Sequence, residues 1–96
     1  MSDRDEKRLI RRSHDAIASE MDGEYLIMSV QLGSYISLRD VSARIWELLE
    51  VPHSLDSLCE ILLREYRVDR ETCEAEVSAF VRQMADDGLI SLERQE

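Results

Sequence analysis

Apolar and polar positions change their period once along this chain, near Asp40. Between Ala16 and Leu38 they alternate in short runs, and from Val41 onward they recur at three- and four-residue spacing. The first regime predicts strands and the second predicts amphipathic helices. Ala16–Met21 reads as a strand that ends at Asp22-Gly23, a hairpin turn because glycine tolerates positive φ. Tyr25–Val30 reads as its partner, with Leu26, Met28 and Val30 on one face and Tyr25, Ile27 and Ser29 on the other. After Leu32-Gly33, Ser34–Leu38 supplies a third strand, with Ser34, Ile36 and Leu38 on one side and Tyr35 and Ser37 on the other. No later strand of comparable length is expected to pair with it. Three short antiparallel strands do not stand alone, so a helical cover is required.

Asp40 is the expected N-cap of a helix through about Glu50, with Val41, Ile45, Leu48 and Leu49 as its apolar stripe and Trp46 beside them. Pro52 ends that helix. Ser54 caps a second, carrying Leu55, Leu58 and Leu62 at helical spacing. Asp69 begins a third that runs to Asp87, with Cys73, Val77, Phe80, Val81 and Met84 on one stripe. Gly88 suits the left-handed position just past its end, and Leu89–Leu92 reads as a short extended return. The expected class is therefore α+β, winged helix-turn-helix-like, with a three-stranded antiparallel sheet followed by three helices. Residues 1–12 mix charge signs without a period and read as a flexible arm, residues 13–93 as one domain, and 94–96 as a tail.

A chain of 96 residues is near the lower limit for one core and leaves little room for a deep catalytic cleft. The net charge is −9, yet residues 1–12 hold five basic and three acidic side chains, so the body is more acidic than the whole. Such a body repels phosphate backbones. The third helix, with Glu71, Glu74, Glu76, Asp86 and Asp87 against Arg82, is a poor reader of a DNA groove. A winged-helix DNA-binding transcriptional regulator is nonetheless the alternative reading, with Arg8, Arg11 and Arg12 as its only basic cluster. No apolar run approaches the length of a membrane span, and the first residues lack the apolar core of a signal peptide, so a cytoplasmic location is expected. Cys59 and Cys73 fit that compartment as buried, reduced thiols.

Catalytic chemistry finds no footing. His14, His53, Cys59 and Cys73 have no paired metal-ligand spacing. Neither histidine sits in a context that names a nucleophile. Gly23, Gly33 and Gly88 are isolated and form no phosphate-cradling loop. A non-catalytic protein without metal or cofactor is expected.

Residues 22–90 do carry an ordered set of pieces. They are Asp22-Gly23-Glu24, Gly33-Ser34-Tyr35 with Leu38, Ile45-Trp46-Glu47-Leu48-Leu49, Ser54-Leu55-Asp56-Ser57-Leu58, Glu65-Tyr66 and Asp87-Gly88-Leu89-Ile90. In this order and spacing the chain resembles the PqqD-like family, which includes the stand-alone recognition proteins of lasso-peptide clusters. The resemblance implies a winged-helix domain that binds the leader of a ribosomally made precursor peptide and presents the core to a modifying enzyme. It implies that the leader adds as a strand to the third strand's edge, at Ser34, Tyr35, Ile36, Ser37 and Leu38. It also implies a groove against the third helix, from Cys73, Val77, Phe80, Val81 and Met84; by their positions Glu74 and Glu76 flank that stripe, where they can pair with basic leader residues. The implied partner is a separate leader protease with a cyclase downstream in a lasso-type system, which is preferred, or a radical enzyme in a quinone-type one. The family's bulky pair near the edge is reduced here to the single aromatic Tyr35. No nucleic acid and no membrane are expected as partners, and the chain is expected to be a monomer or a weak edge-to-edge dimer. An adaptor for another protein's segment would use the same edge.

Overall fold

The computed structural model describes residues 8–14 and 16–93. The elements run β1 (Leu9–Arg12), β2 (Ile17–Met21), β3 (Glu24–Ser29), β4 (Ser34–Leu38), α1 (Val41–Leu48), β5 (His53–Ser54), α2 (Leu55–Glu65), α3 (Arg70–Asp86) and β6 (Ile90–Glu93). The chain is α+β, and β2, β3 and β4 form the expected antiparallel sheet in that order. Asp22 and Gly23 both take positive φ, 56° and 83°, which makes the β2–β3 link a two-residue turn matched to strand twist. It sets the register Met21↔Glu24 through Ile17↔Met28.

One face of this sheet meets the helices. Ile27 and Leu38 are buried there, with Tyr25 and Ile36 packed beside them, whereas Leu26 and Tyr35 lie on the outer face, exposed. Val30, read as the end of a strand, lies instead in the β3–β4 turn and is exposed. The helices close the core with Ala43, Ile45, Trp46 and Leu49 around α1, Leu58, Cys59 and Leu62 from α2, and Cys73, Val77, Val81 and Met84 from α3.

A second sheet, ordered β5-β1-β6, is added to the expected three strands and three helices. Leu9–Arg12, read as part of a loose arm, pairs antiparallel with both neighbours, Ile10 facing His53 on one side and Leu92 on the other. Arg12 then turns inward, its guanidinium 4.6 Å from the centre of the Trp46 ring and donating to the Trp46 carbonyl. Residues 1–7 of the expected arm and the expected tail 94–96 lie outside the described residues.

Caps behave as the sequence suggests at two helices and not at the third. The Ser54 hydroxyl accepts from the N–H of Ser57 at 3.1 Å, and the Asp69 carboxylate accepts from the N–H of Thr72 at 3.3 Å. Gly88, at φ 79°, ends α3 with paired bonds from Leu89 N–H to the Met84 carbonyl (2.9 Å) and from Gly88 N–H to that of Ala85 (3.1 Å). Asp40 precedes α1 as expected, but its side chain makes no capping bond and its backbone sits at φ 58°, ψ −128°. The turn from β4 into α1 is thus sharp and strained.

Candidate strand-addition site

β4 is the last strand of its sheet, and among the described residues nothing pairs with its outer edge. Which of its backbone groups face outward follows from the register. The two-residue turn makes Met21↔Glu24 a hydrogen-bonded pair, so Glu24, Leu26 and Met28 direct their N–H and C=O groups to β2. Tyr25, Ile27 and Ser29 therefore direct theirs to β4, where they face Leu38, Ile36 and Ser34. Tyr35 and Ser37 are left with both backbone groups pointing away from the sheet. Two donors and two acceptors, alternating along the edge, are what an incoming strand requires.

The hairpin is tied to the end of α3 just before β4 begins. At the start, the buried Ser29 hydroxyl donates to the Asp87 carbonyl at 3.0 Å and accepts from the N–H of Leu32 at 3.1 Å. Gln31 adds a 2.9 Å bond from its side-chain amide to the Asp86 carbonyl. These bonds satisfy carbonyls at the helix C-terminus that the helix itself leaves open. At the far end, β4 leads through Arg39 and Asp40 into Val41 and Ser42, which face α3 across a cavity of about 260 Å³. The cavity lies against one flank of α3. Glu76, Phe80, Gln83 and Asp87 share that flank at helical spacing.

The cavity sorts the predicted groove residues. Cys73, Glu76, Val77 and Phe80 line it together; none of Ser34 to Leu38 does. Phe80 is half-buried and Glu76 exposed, while Cys73 and Val77 are also core residues that only show one side to the cavity. Val81 is buried on the other flank of α3, against a different cavity, and Met84 is core. Tyr35 and Ser37 are exposed on the outer face; Ile36 and Leu38 face inward.

Six lining residues were not anticipated there: Val41, Ser42, Tyr66 and Val68, with the core side chains Ile45 and Leu62 behind them. Val68 did have a signal. It stands just before the Asp69 cap, and Cys73 lies four residues into the helix, which is the spacing of a hydrophobic staple.

The site's electrostatics are mild. Burial, then the neighbouring Cys73, pushes the Cys59 thiol up to about 12, so the wall behind Cys73 stays neutral at physiological pH. Arg44 on α1 donates to Glu65 on α2 at 2.9 and 2.7 Å and to Glu47 at 2.7 Å, fixing the two helices that frame the cavity's far side. Its side-chain hydrogen bonds hold the Glu65 carboxyl below the usual carboxylate range. Of the basic cluster once available to nucleic acid, Arg12 is spent on Trp46 and Arg11 pairs with Glu93 at 3.3 Å. No group of three or more potential metal ligands occurs among the described residues, and no helix there is long and apolar enough to cross a membrane.

Comparison with known proteins adds three findings. The family model described as coenzyme PQQ synthesis protein D matches residues 24–90. A solved structure of TbiB1 in complex with the TbiA(beta) leader peptide is similar at 31% identity and a TM-score of 0.78, over 84% of this chain and 94% of that one. A lasso peptide synthetase B1 complexed with the leader peptide is similar at 25% identity and a TM-score of 0.72, over 85% of this chain and 96% of that one. No curated protein gives a significant match.

Proposed function

The chain belongs to the PqqD family, and we propose that it binds the leader of a ribosomally made precursor peptide as a strand added to β4, then delivers it to a separate modifying enzyme of lasso-peptide type. The open edge carries this reading: Tyr35 and Ser37 direct four backbone groups outward on a strand that leads into the wall of a partly apolar cavity on α3, in a chain similar to two proteins solved with leader peptides. The modifying partner is a leader protease acting in trans, with a cyclase downstream, and the role of this chain is recognition without catalysis.

Magnitudes assign different tasks to edge and groove. Four ladder bonds at about 1 kcal/mol net each give roughly 4 kcal/mol. Association costs an estimated ~4–15 kcal/mol, so the ladder sets direction and register but does not hold the peptide. Apolar leader side chains, at about 1.5–3 kcal/mol each when buried, supply the remainder. Phe80, Val41, Val68 and Tyr66 receive them, and Glu76 favours a basic neighbour in the leader.

The test is a fluorescence-anisotropy titration with a labelled leader from a precursor encoded beside this chain. Binding at micromolar strength or tighter is expected. Absence of binding for every such leader would remove the proposal.

A further inference from the structure

The other flank of α3 carries a second groove. Ser78, Val81, Arg82 and Asp86 fall there at helical spacing, turned roughly half-way round the helix from Phe80. With the inner face of β1 and β6 they bound a cavity of about 300 Å³, larger than the one lined by Phe80. Its floor is apolar: Ile10 and Val81 are buried, and Leu92 remains 38% exposed over it. β6 is itself an edge strand, paired only with β1 among the described residues.

Charge distinguishes this groove from the rest of the protein. The chain as a whole carries −9, yet among the described residues Arg8 and Arg82 line this cavity against one carboxylate, that of Asp86. Neither arginine makes an ion pair among the described residues. Two guanidiniums without an ion pair among the described residues, beside an apolar trough and an open edge, form a receptor for carboxylates flanking an apolar side chain, since the planar fork pairs with a carboxylate through two bonds. A basic segment would be repelled at this position while being attracted to the surface elsewhere.

We propose that this groove docks an extended acidic segment of a partner protein, with carboxylates at Arg8 and Arg82 and a leucine-like anchor over Ile10 and Leu92. Because the two grooves lie on opposite flanks of α3, this segment and a peptide on β4 are held at once. The proposal does not depend on what binds β4.

It is tested with the full chain, ¹⁵N-labelled, titrated with the synthetic peptide acetyl-Asp-Leu-Glu-Leu-Asp-Leu-amide and followed by ¹H–¹⁵N NMR. Shifts are expected at Ser78, Arg82 and Ile90–Glu93, and not at Tyr35 or Ser37. Replacing the exposed Arg82 with glutamate is expected to weaken binding about tenfold with no change in Tm, as loss of one charge-assisted contact requires. No binding, equal binding of a peptide with lysine in place of the acids, unchanged affinity of Arg82→Glu, or shifts confined to β4 would each overturn it. So would concentration-dependent shifts of β6 without peptide, with a doubled sedimentation mass, because a second copy would then occupy the edge.

Discussion

The hydroxyl of Ser29, fully buried at the end of β3, donates to the backbone carbonyl of Asp87 at the end of α3. With the Gln31–Asp86 bond, it joins the hairpin that carries the open edge to the helix that carries the groove. Replacing Ser29 with alanine leaves the Leu32 N–H and the Asp87 carbonyl without this partner. A loss of about 1–3 kcal/mol is expected in urea denaturation, with weaker leader binding as the edge loosens. Unchanged stability would mean the hairpin is held by other contacts.

Proline substitutions separate the two sides of β4. The Ser37 N–H faces outward, so Ser37→Pro should fold and yet bind leader at least about tenfold more weakly. The Ile36 N–H belongs to the β3–β4 ladder, so Ile36→Pro should lower stability as well as binding. Circular dichroism and anisotropy on the pair decide this, and the reverse pattern would shift the register by one residue.

Neighbouring residues on α3 should behave oppositely. Phe80→Ala removes a half-buried ring from the cavity between α1 and α3, and about a tenfold loss of leader affinity is expected with little loss of stability. Val81→Ala removes core volume, with a stability loss of about 1–3 kcal/mol and little change in affinity. Equal effects of the two on affinity would remove Phe80 as an anchor.

Asp40 offers a test of strain. At φ 58°, ψ −128°, with no capping bond, it occupies backbone space natural to glycine. Asp40→Gly is expected to raise stability by about 1 kcal/mol, measured by thermal unfolding. A decrease would show that the carboxylate contributes something its hydrogen bonds do not reveal.

These relationships show what the sequence made legible. Local signals were strong where the controlling interactions are local: Asp22-Gly23 turned the hairpin, alternation placed β2, β3 and β4, and Gly88 ended α3. The second sheet was hidden because β1 has only four residues, two of them arginines, and its partners β5 and β6 lie far along the chain. Its pairing leaves no periodic mark. The α3 stripe was legible as apolar but not as divided, because Cys73 and Val77 face core and cavity together while Val81 faces the other flank. The cavity's remaining wall comes from Val41, Ser42, Ile45, Leu62, Tyr66 and Val68, whose meeting depends on how three helices pack. The outward direction of Tyr35 and Ser37, by contrast, followed from turn length and register once both were known.

The central claim, that a leader completes the sheet at β4, is tested most directly by residue-resolved amide hydrogen exchange with and without leader peptide. Ile36 and Leu38, already bonded to β3, should be protected in both states. Tyr35 and Ser37 should exchange fast in the free protein and become protected in the complex, giving an alternating pattern along five residues. Leader binding without new protection at Tyr35 and Ser37 would contradict the account.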